Sequence, residues 1–301
     1  MPTVGIGLPV YNGERFLADA LESLIAQSFE DFELVISDNA STDGTEEICR
    51  SYAARDPRVR YLRRDVNRGA AWNFNSVVHE TSAPYFKWAA HDDVLAPTCV
   101  ERSLDALRAA DRASLVYPRT QAIDENGDVV GEFRDGLDVR ERAPHERLAS
   151  LVRTLVLGNP AFGLVRRATL ERTRLLGSFP SADYVLLAEL ALLGEIHELP
   201  EFLFFRREHP GMSRRANATA AEVAEWFEPG SGSVRVHEFS RLFVEHLRAI
   251  HAMPLSRDER ARCYATFANV WLRRNWVHVA EELLGFEYTG GRPPFRRRRT
   301  T

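Results

Sequence analysis

Two adjacent carboxylates, Asp92 and Asp93, preceded by His91, are the first residues in this sequence whose types and spacing could do chemistry. Neighbouring acidic side chains at the end of an apolar stretch repel each other, and they are costly to bury unless a cation or hydrogen-bond donors neutralise them. A hard divalent ion does so, because Mg2+ or Mn2+ takes one or two carboxylates together with phosphate oxygens. The same pair ahead of Pro97 also reads as the N-terminal cap of a following helix. Asp38 lies in the polar run Ser37-Asp38-Asn39-Ala40-Ser41-Thr42-Asp43-Gly44. A carboxylate there accepts a hydrogen bond from the imino N–H of a pyrimidine or guanine base, or it forms a simple Asx turn. Asp183 opens an apolar helix, where a carboxylate is mildly stabilising against the helix dipole. His209 follows Arg206 and Arg207; a neutral imidazole beside carboxylates suits Mn2+ better than Mg2+. The guanidinium groups of Arg206, Arg207, Arg214 and Arg215 can pair bidentately with phosphate.

These residues need a scaffold, and up to about Tyr117 the pattern supplies one. Short β-branched or apolar runs alternate with segments of helical period, which predicts βαβ units and a mostly parallel sheet. Strands are expected at Val4 to Pro9, Phe32 to Ile36, Val59 to Leu62 and Pro84 to Trp88. Helices are expected at Glu14 to Gln27, after Asn67-Arg68-Gly69 as far as about Glu80, and from about Thr98 to Ala110. Ser41 or Thr42 is the expected cap of the helix after the second strand. Ligands of open α/β sheets bind outside the carboxyl ends of the strands, and parallel strands all end on one side. Asp38 and Asp92 are therefore expected at one edge.

Beyond Tyr117 the alternation becomes irregular. A strand at Ser114 to Pro118 leads to a hairpin at Asp124 to Asp128. Helices follow at His145 to Leu157 and Ala182 to Leu193, with strand or loop at Asn159 to Val165 and extended chain at Ile196 to Phe205. Glu228 to Ser233 reads as a linker. Two amphipathic helices, about Val234 to His251 and Ser256 to Leu284, precede a tail containing Arg296 to Arg299. Their apolar stripes suit core packing or a homodimer contact, and the tail is either solvated or drawn to anionic lipid. The expected division is 1–215 for the catalytic domain and 216–301 for the helical region with its basic tail.

The bulk composition excludes several classes. With 301 residues, 45% of them hydrophobic, the chain can bury a large core. A net charge of -4 gives no reason to expect a nucleic-acid partner. Cys49, Cys99 and Cys263 are far apart and form neither a disulfide framework nor a zinc motif. Met1-Pro2-Thr3 runs straight into an apolar strand without the features of a secretory signal, and no stretch is long and apolar enough to span a bilayer. The expectation is a cytoplasmic protein, or one peripheral at the inner face of the membrane.

Pro9-Val10-Tyr11-Asn12, Asp38 to Gly44, Asn67-Arg68-Gly69 with Asn73, and Asp92-Asp93 closely resemble, in order, the motifs of family 2 glycosyltransferases of the GT-A fold. The likeness is dense from about Thr3 to Leu107 and looser to about Arg214. It implies an α/β GT-A fold with a C-terminal helical extension, and an inverting, hexosyltransferase-type glycosyltransferase (EC 2.4). The implied partners are a nucleoside-diphosphate sugar donor and a glycan, lipid-linked or small-molecule acceptor, in bacterial cell-surface glycan or glycoconjugate synthesis. By the same resemblance Pro9, Tyr11 and Glu14 sit by the base and ribose, and Asp38 bonds the base. Arg68 and Arg206 join the donor contacts, Asp92 approaches the ribose or a metal-bound water, and Asp93 ligates Mn2+ or Mg2+. His209 completes the metal or diphosphate shell, and Asp183 is the general base, with Glu189 a distant substitute. Ala90 stands where many relatives carry a further aspartate, which leaves His91 an orienting role. Nucleotidyl transfer on the same fold, and a non-catalytic nucleotide-sugar-binding protein, are the alternatives.

Overall fold

A computed structural model describes residues 1–212, 220–230 and 238–284. Arg214, Arg215, Val234, Ser231 to Ser233 and Arg296 to Arg299 lie outside these, so the readings placed on them have no structural counterpart. The chain begins β1 (Val4–Val10), α1 (Leu17–Ile25), β2 (Phe32–Asp38), α2 (Thr45–Arg55), β3 (Val59–Arg63), α3 (Ala70–His79) and β4 (Tyr85–Trp88). Next come β5 (Val94–Leu95), α4 (Cys99–Ala109), β6 (Ala113–Ile123), β7 (Val129–Phe133) and α5 (Pro144–Thr154). A 3-10 turn (Asn159–Phe162), β8 (Leu164–Arg166), α6 (Arg167–Leu170), α7 (Ala182–Leu193) and β9 (Glu195–Arg207) follow. The last described helices are α8 (Ala220–Phe227), α9 (Glu238–Ala252) and α10 (Arg257–Leu283).

One sheet runs in the order β3-β2-β1-β4-β8-β6-β9-β5, with β7 hairpinned onto β6. The strands β3, β2, β1 and β4 are parallel, as the βαβ pattern predicts. Beyond β4 the sheet is mixed, because β8 runs antiparallel to both β4 and β6 while β9 lies parallel to β6. It follows that β1, β2, β3, β4, β6 and β9 all point the same way and all end at one edge. β8 enters the sheet at that edge.

The alternation of β1 explains its packing on both faces. Val4, Ile6, Leu8 and Val10 join α1, α2 and α4 in one core, and Gly5 and Gly7 turn to α3. A Cβ on Gly7 would sit 2.5 Å from Val77 Cγ2, so only glycine lets α3 close onto the sheet here. The other core joins α3, α5 and α7 to Phe239, Leu242, Ile250, Phe267 and Trp271 of the C-terminal helices. One apolar face of those helices is therefore buried. A second face of α10 leaves Leu272 and Trp276 exposed.

Two local expectations shift. The helix expected from Glu14 starts at Leu17, because Gly13 and Glu14 donate their backbone N–H groups to Thr45 Oγ1 and Asp43 Oδ2 instead. Neither Ser41 nor Thr42 caps α2: Asp43 Oδ1 accepts from Thr45 N at 3.1 Å, and Ser41 Oγ accepts from Asn12 N at 2.9 Å. These side chains fasten the loop after β1 to the loop after β2. Among the described residues no helix is long and apolar enough to cross a membrane.

Candidate active site

The loop after β4 carries His91, Asp92 and Asp93, and β5 begins at the next residue. β5 pairs antiparallel with the end of β9, Val94 opposite Phe205. That register sets Asp93 and Asp92 against Arg206 and Arg207, residues more than a hundred positions away. Asp93 Oδ1 accepts from Arg207 N at 2.9 Å, and the Asp92 carbonyl accepts from Arg207 Nε at 3.0 Å. His209 Nε2 lies 2.9 Å from Asp92 Oδ2, and its ring packs on Phe16 with centroids 4.7 Å apart.

Burial, with the neighbouring Asp92 charge added, pushes the Asp93 carboxyl up to about 8. Asp92 goes the other way: burial opposes its charge, yet the His209 hydrogen bond and the nearby His91 and His209 rings hold its carboxyl below the ordinary value. Crowded carboxylates of this kind call for a cation. The donor set of two carboxylates and an imidazole suits a divalent ion completed by phosphate oxygens. No group of three such side chains already converges at ligand spacing among the described residues. His91 packs on Gly13, where a Cβ would approach His91 Cδ2 to 2.6 Å.

The nucleotide-side candidates line the same edge. Pro9 is buried in β1 opposite Ser37, and Tyr11 just beyond the strand is 44% exposed. Asn12 takes a left-handed φ of 51° and accepts from Thr42 N through Oδ1. Glu14 Oε2 accepts from Gly44 N at 2.6 Å, so its carboxylate is a tie between loops. Asp38 is fully buried; its oxygens accept from Ser41 N, Tyr61 OH and Arg63 Nη1 at 2.7 to 2.8 Å. The Asp38 charge adds to burial in driving the Tyr61 phenol well above its usual value. No sequence motif marks Tyr61 and Arg63; a β3 paired in register with β2 places them beside Asp38. Arg68 is exposed and lies over Trp72, 4.8 Å from the ring centroid.

The two arginines at the end of β9 face opposite ways, as neighbours on a strand must. Arg206 donates to Asn159 Oδ1 at 2.7 Å, and its charge acts on Asp93. Arg207 is only 2% exposed, and its guanidinium bonds Asp92 O, Asp124 O, Glu125 O and Asp19. That corrects the expectation that Arg207 is a phosphate partner: it braces the aspartate loop from behind. Asp183 occupies the first turn of α7 behind Ser181, whose φ of 60° is left-handed. A Cβ on Gly158 would lie 1.7 Å from Asp183 Oδ2, so the 158–159 turn sits directly against the candidate base. Glu189 is buried on the same helix and bound by Arg174, which removes it as a substitute base.

A mixed sheet with strand ends, paired aspartates and a histidine at one edge forms the candidate site. The Glycosyl transferase family 2 model matches residues 6–171, more than half of the chain. The chain belongs to the family 2 glycosyltransferases. Chondroitin synthase of Escherichia coli is 32% identical over 130 residues, 43% of this chain and 19% of that protein. An uncharacterized glycosyltransferase of Rickettsia felis is 32% identical over 129 residues, 42% of this chain. The match spans about a fifth of these longer relatives. Among solved structures, S. aureus TarS in complex with UDP-GlcNAc superposes with a TM-score of 0.65 at 16% identity, over 90% of this chain and 73% of that one. Mannosyltransferase PcManGT from Pyrobaculum calidifontis, bound to GDP-Man and Mn2+, gives 0.58 at 15%, over 94% of this chain and 74% of that one. The fold is GT-A.

Proposed function

We propose that this glycosyltransferase moves a sugar from a nucleoside-diphosphate donor to an acceptor hydroxyl with inversion and with the help of a divalent metal. The nucleoside would lie along Pro9, Tyr11, Glu14 and Asp38, with Arg68 and Arg206 toward the diphosphate. Asp93, with Asp92 and His209, would hold Mn2+ or Mg2+, which when bound supplies positive charge against the departing diphosphate. Asp183 takes the proton from the acceptor hydroxyl as that oxygen attacks the anomeric carbon. Arg206 adds a fixed cation beside the donor diphosphate, in the bound donor and the transition state alike. Direct displacement needs no covalent enzyme intermediate. The acceptor class remains glycan, lipid-linked glycan or small molecule, in cell-surface glycan synthesis, and the basic tail is a candidate contact for an anionic inner leaflet.

The observation that carries this reading is the meeting of Asp93, Arg206 and the turn against Asp183 at the edge where Asp38 also ends its strand. Its test is donor hydrolysis. UDP- and GDP-sugars are incubated with Mn2+ and the wild-type chain or Asp93→Ala, and free nucleoside diphosphate and pyrophosphate are both quantified. Nucleoside diphosphate release that is lost in Asp93→Ala is expected. Pyrophosphate release, or turnover unchanged by the substitution, would sink the proposal.

A further inference from the structure

The turn Gly158-Asn159 belongs to no sequence motif, yet it touches both halves of the candidate site. It reaches the functional edge because β8 runs against β4 and β6, so the chain entering β8 arrives where the parallel strands end. Asn159 is 3% exposed. Its Nδ2 donates to both oxygens of Asp135, at 3.2 and 3.1 Å, and its Oδ1 accepts from Arg206 Nη1 at 2.7 Å. The amide orientation follows from chemistry, since a guanidinium only donates and a carboxylate only accepts. Asp135 is itself buried and also takes a long bond from Thr120 Oγ1. One residue earlier, Gly158 leaves space that a single added methyl would take from the Asp183 carboxylate.

We propose that Gly158-Asn159 is a positioning joint. Asn159 aims Arg206 at the donor diphosphate, and Gly158 leaves the Asp183 carboxylate the room to face the acceptor. The planar amide is clamped by Asp135 on one side and holds the guanidinium on the other, so Arg206 enters the site already ordered. A long side chain that must be ordered during binding weakens affinity. A base displaced by about 1 Å costs about a hundredfold in rate. Because the two residues are consecutive, the distance between donor-side cation and acceptor-side base is set by one peptide unit. This inference rests on the donor and base roles proposed above.

The experiment is a double-mutant cycle on the full chain, with Mn2+–UDP and Mn2+–GDP as calorimetric probes and the hydrolysed donor sugar as the turnover readout. Arg206→Ala weakens probe binding. Asn159→Ala weakens it about fivefold to tenfold and raises the donor KM with little change in kcat. In the Arg206→Ala background Asn159→Ala adds nothing, because its effect passes through Arg206. Gly158→Ala leaves probe affinity within about twofold of wild type and lowers kcat about a hundredfold. Additive losses in the double variant, wild-type binding by Asn159→Ala, or parallel losses of affinity and rate in Gly158→Ala overturn the joint. Wild-type binding by Arg206→Ala removes the donor role of Arg206 and the joint with it, which separates that failure from the others. If the bared Asp135 prevents folding, the same cycle is run from Asn159→Ala with Asp135→Ala, since removing both partners leaves no unsatisfied buried carboxylate.

Discussion

The edge proposed for the nucleotide and the edge proposed for the reacting groups are built in opposite ways. On the nucleotide side, the loop after β1 and the loop after β2 fasten to each other through Asn12, Glu14, Ser41, Asp43 and Thr45, all within about thirty residues. On the reacting side, Asp92-Asp93 is braced by Arg207, Arg206 is held by Asn159, and Asp183 rests against Gly158; the hydrogen-bonded contacts there bridge 47 to 117 residues. Local ties preform the surface proposed for the nucleotide. Long-range ties make the reacting groups depend on the whole second half being folded.

Substitutions can break or sharpen that contrast. The largest expected effect is on chemistry alone. Asp183→Asn keeps the shape and removes the base, so turnover falls about a hundredfold to ten-thousandfold while nucleoside-diphosphate affinity stays within about twofold. Equal losses in both would place Asp183 in donor binding instead. Next is the dependence on the second core. Trp271 is buried in this core with its ring 5.1 Å from that of Phe243 on α9, and Trp271→Ala should cost about 3 to 5 kcal/mol. Because α7 shares this core, one cooperative transition should shift in chemical denaturation. A separate early transition, with the catalytic half unmoved, would mean that the C-terminal helices fold independently.

A smaller effect is set by pH. His246 lies buried on α9, its Nδ1 bonded to Leu242 O and its ring stacked on Phe267, with Arg174 and Glu245 the nearby charges. Burial first, with Arg174 helping, depresses its pKa from 6.5 to about 4. A histidine depressed in the fold binds more protons when unfolded, so its contribution is present above about 6.5 and is lost as pH falls toward 4. His246→Phe should flatten the denaturation midpoint between those values, and an unchanged slope would show that other groups carry it. The smallest expected effect is on the nucleotide side: Glu14→Gln weakens one exposed tie to Gly44 and should cost less than about 1 kcal/mol. A loss several times larger would mean that these loops depend on their mutual ties as heavily as the reacting side depends on its long-range ones.

What was legible in the sequence follows the same division. The βαβ pattern gave β1 to β4 nearly in place, and with them the edge carrying Asp38 and Asp92, because local periodicity decides those elements. The mixed order beyond β4 was not legible, since the antiparallel insertion of β8 is decided by long-range pairing. Arg207 looked like its neighbour Arg206 in sequence; only the direction of each side chain on β9 separates a brace from a site cation. Asn159 was invisible because its partners Asp135 and Arg206 lie 24 and 47 residues away. The Gly158-Asn159-Pro160 turn signal was the one hint available. Glu189 looked like a spare base until Arg174 was seen to enclose it.

The proposed reaction turns on a metal-dependent nucleotide site at Asp93. Thermal unfolding with UDP and with GDP, each with and without Mn2+, tests it most directly on wild type and Asp93→Ala. Free ligand at about a hundred times Kd stabilises by about 2.7 kcal/mol. A clear upward shift for one nucleotide only when Mn2+ is present, abolished in Asp93→Ala, is expected. An equal shift without metal, or one that survives in Asp93→Ala, would contradict it.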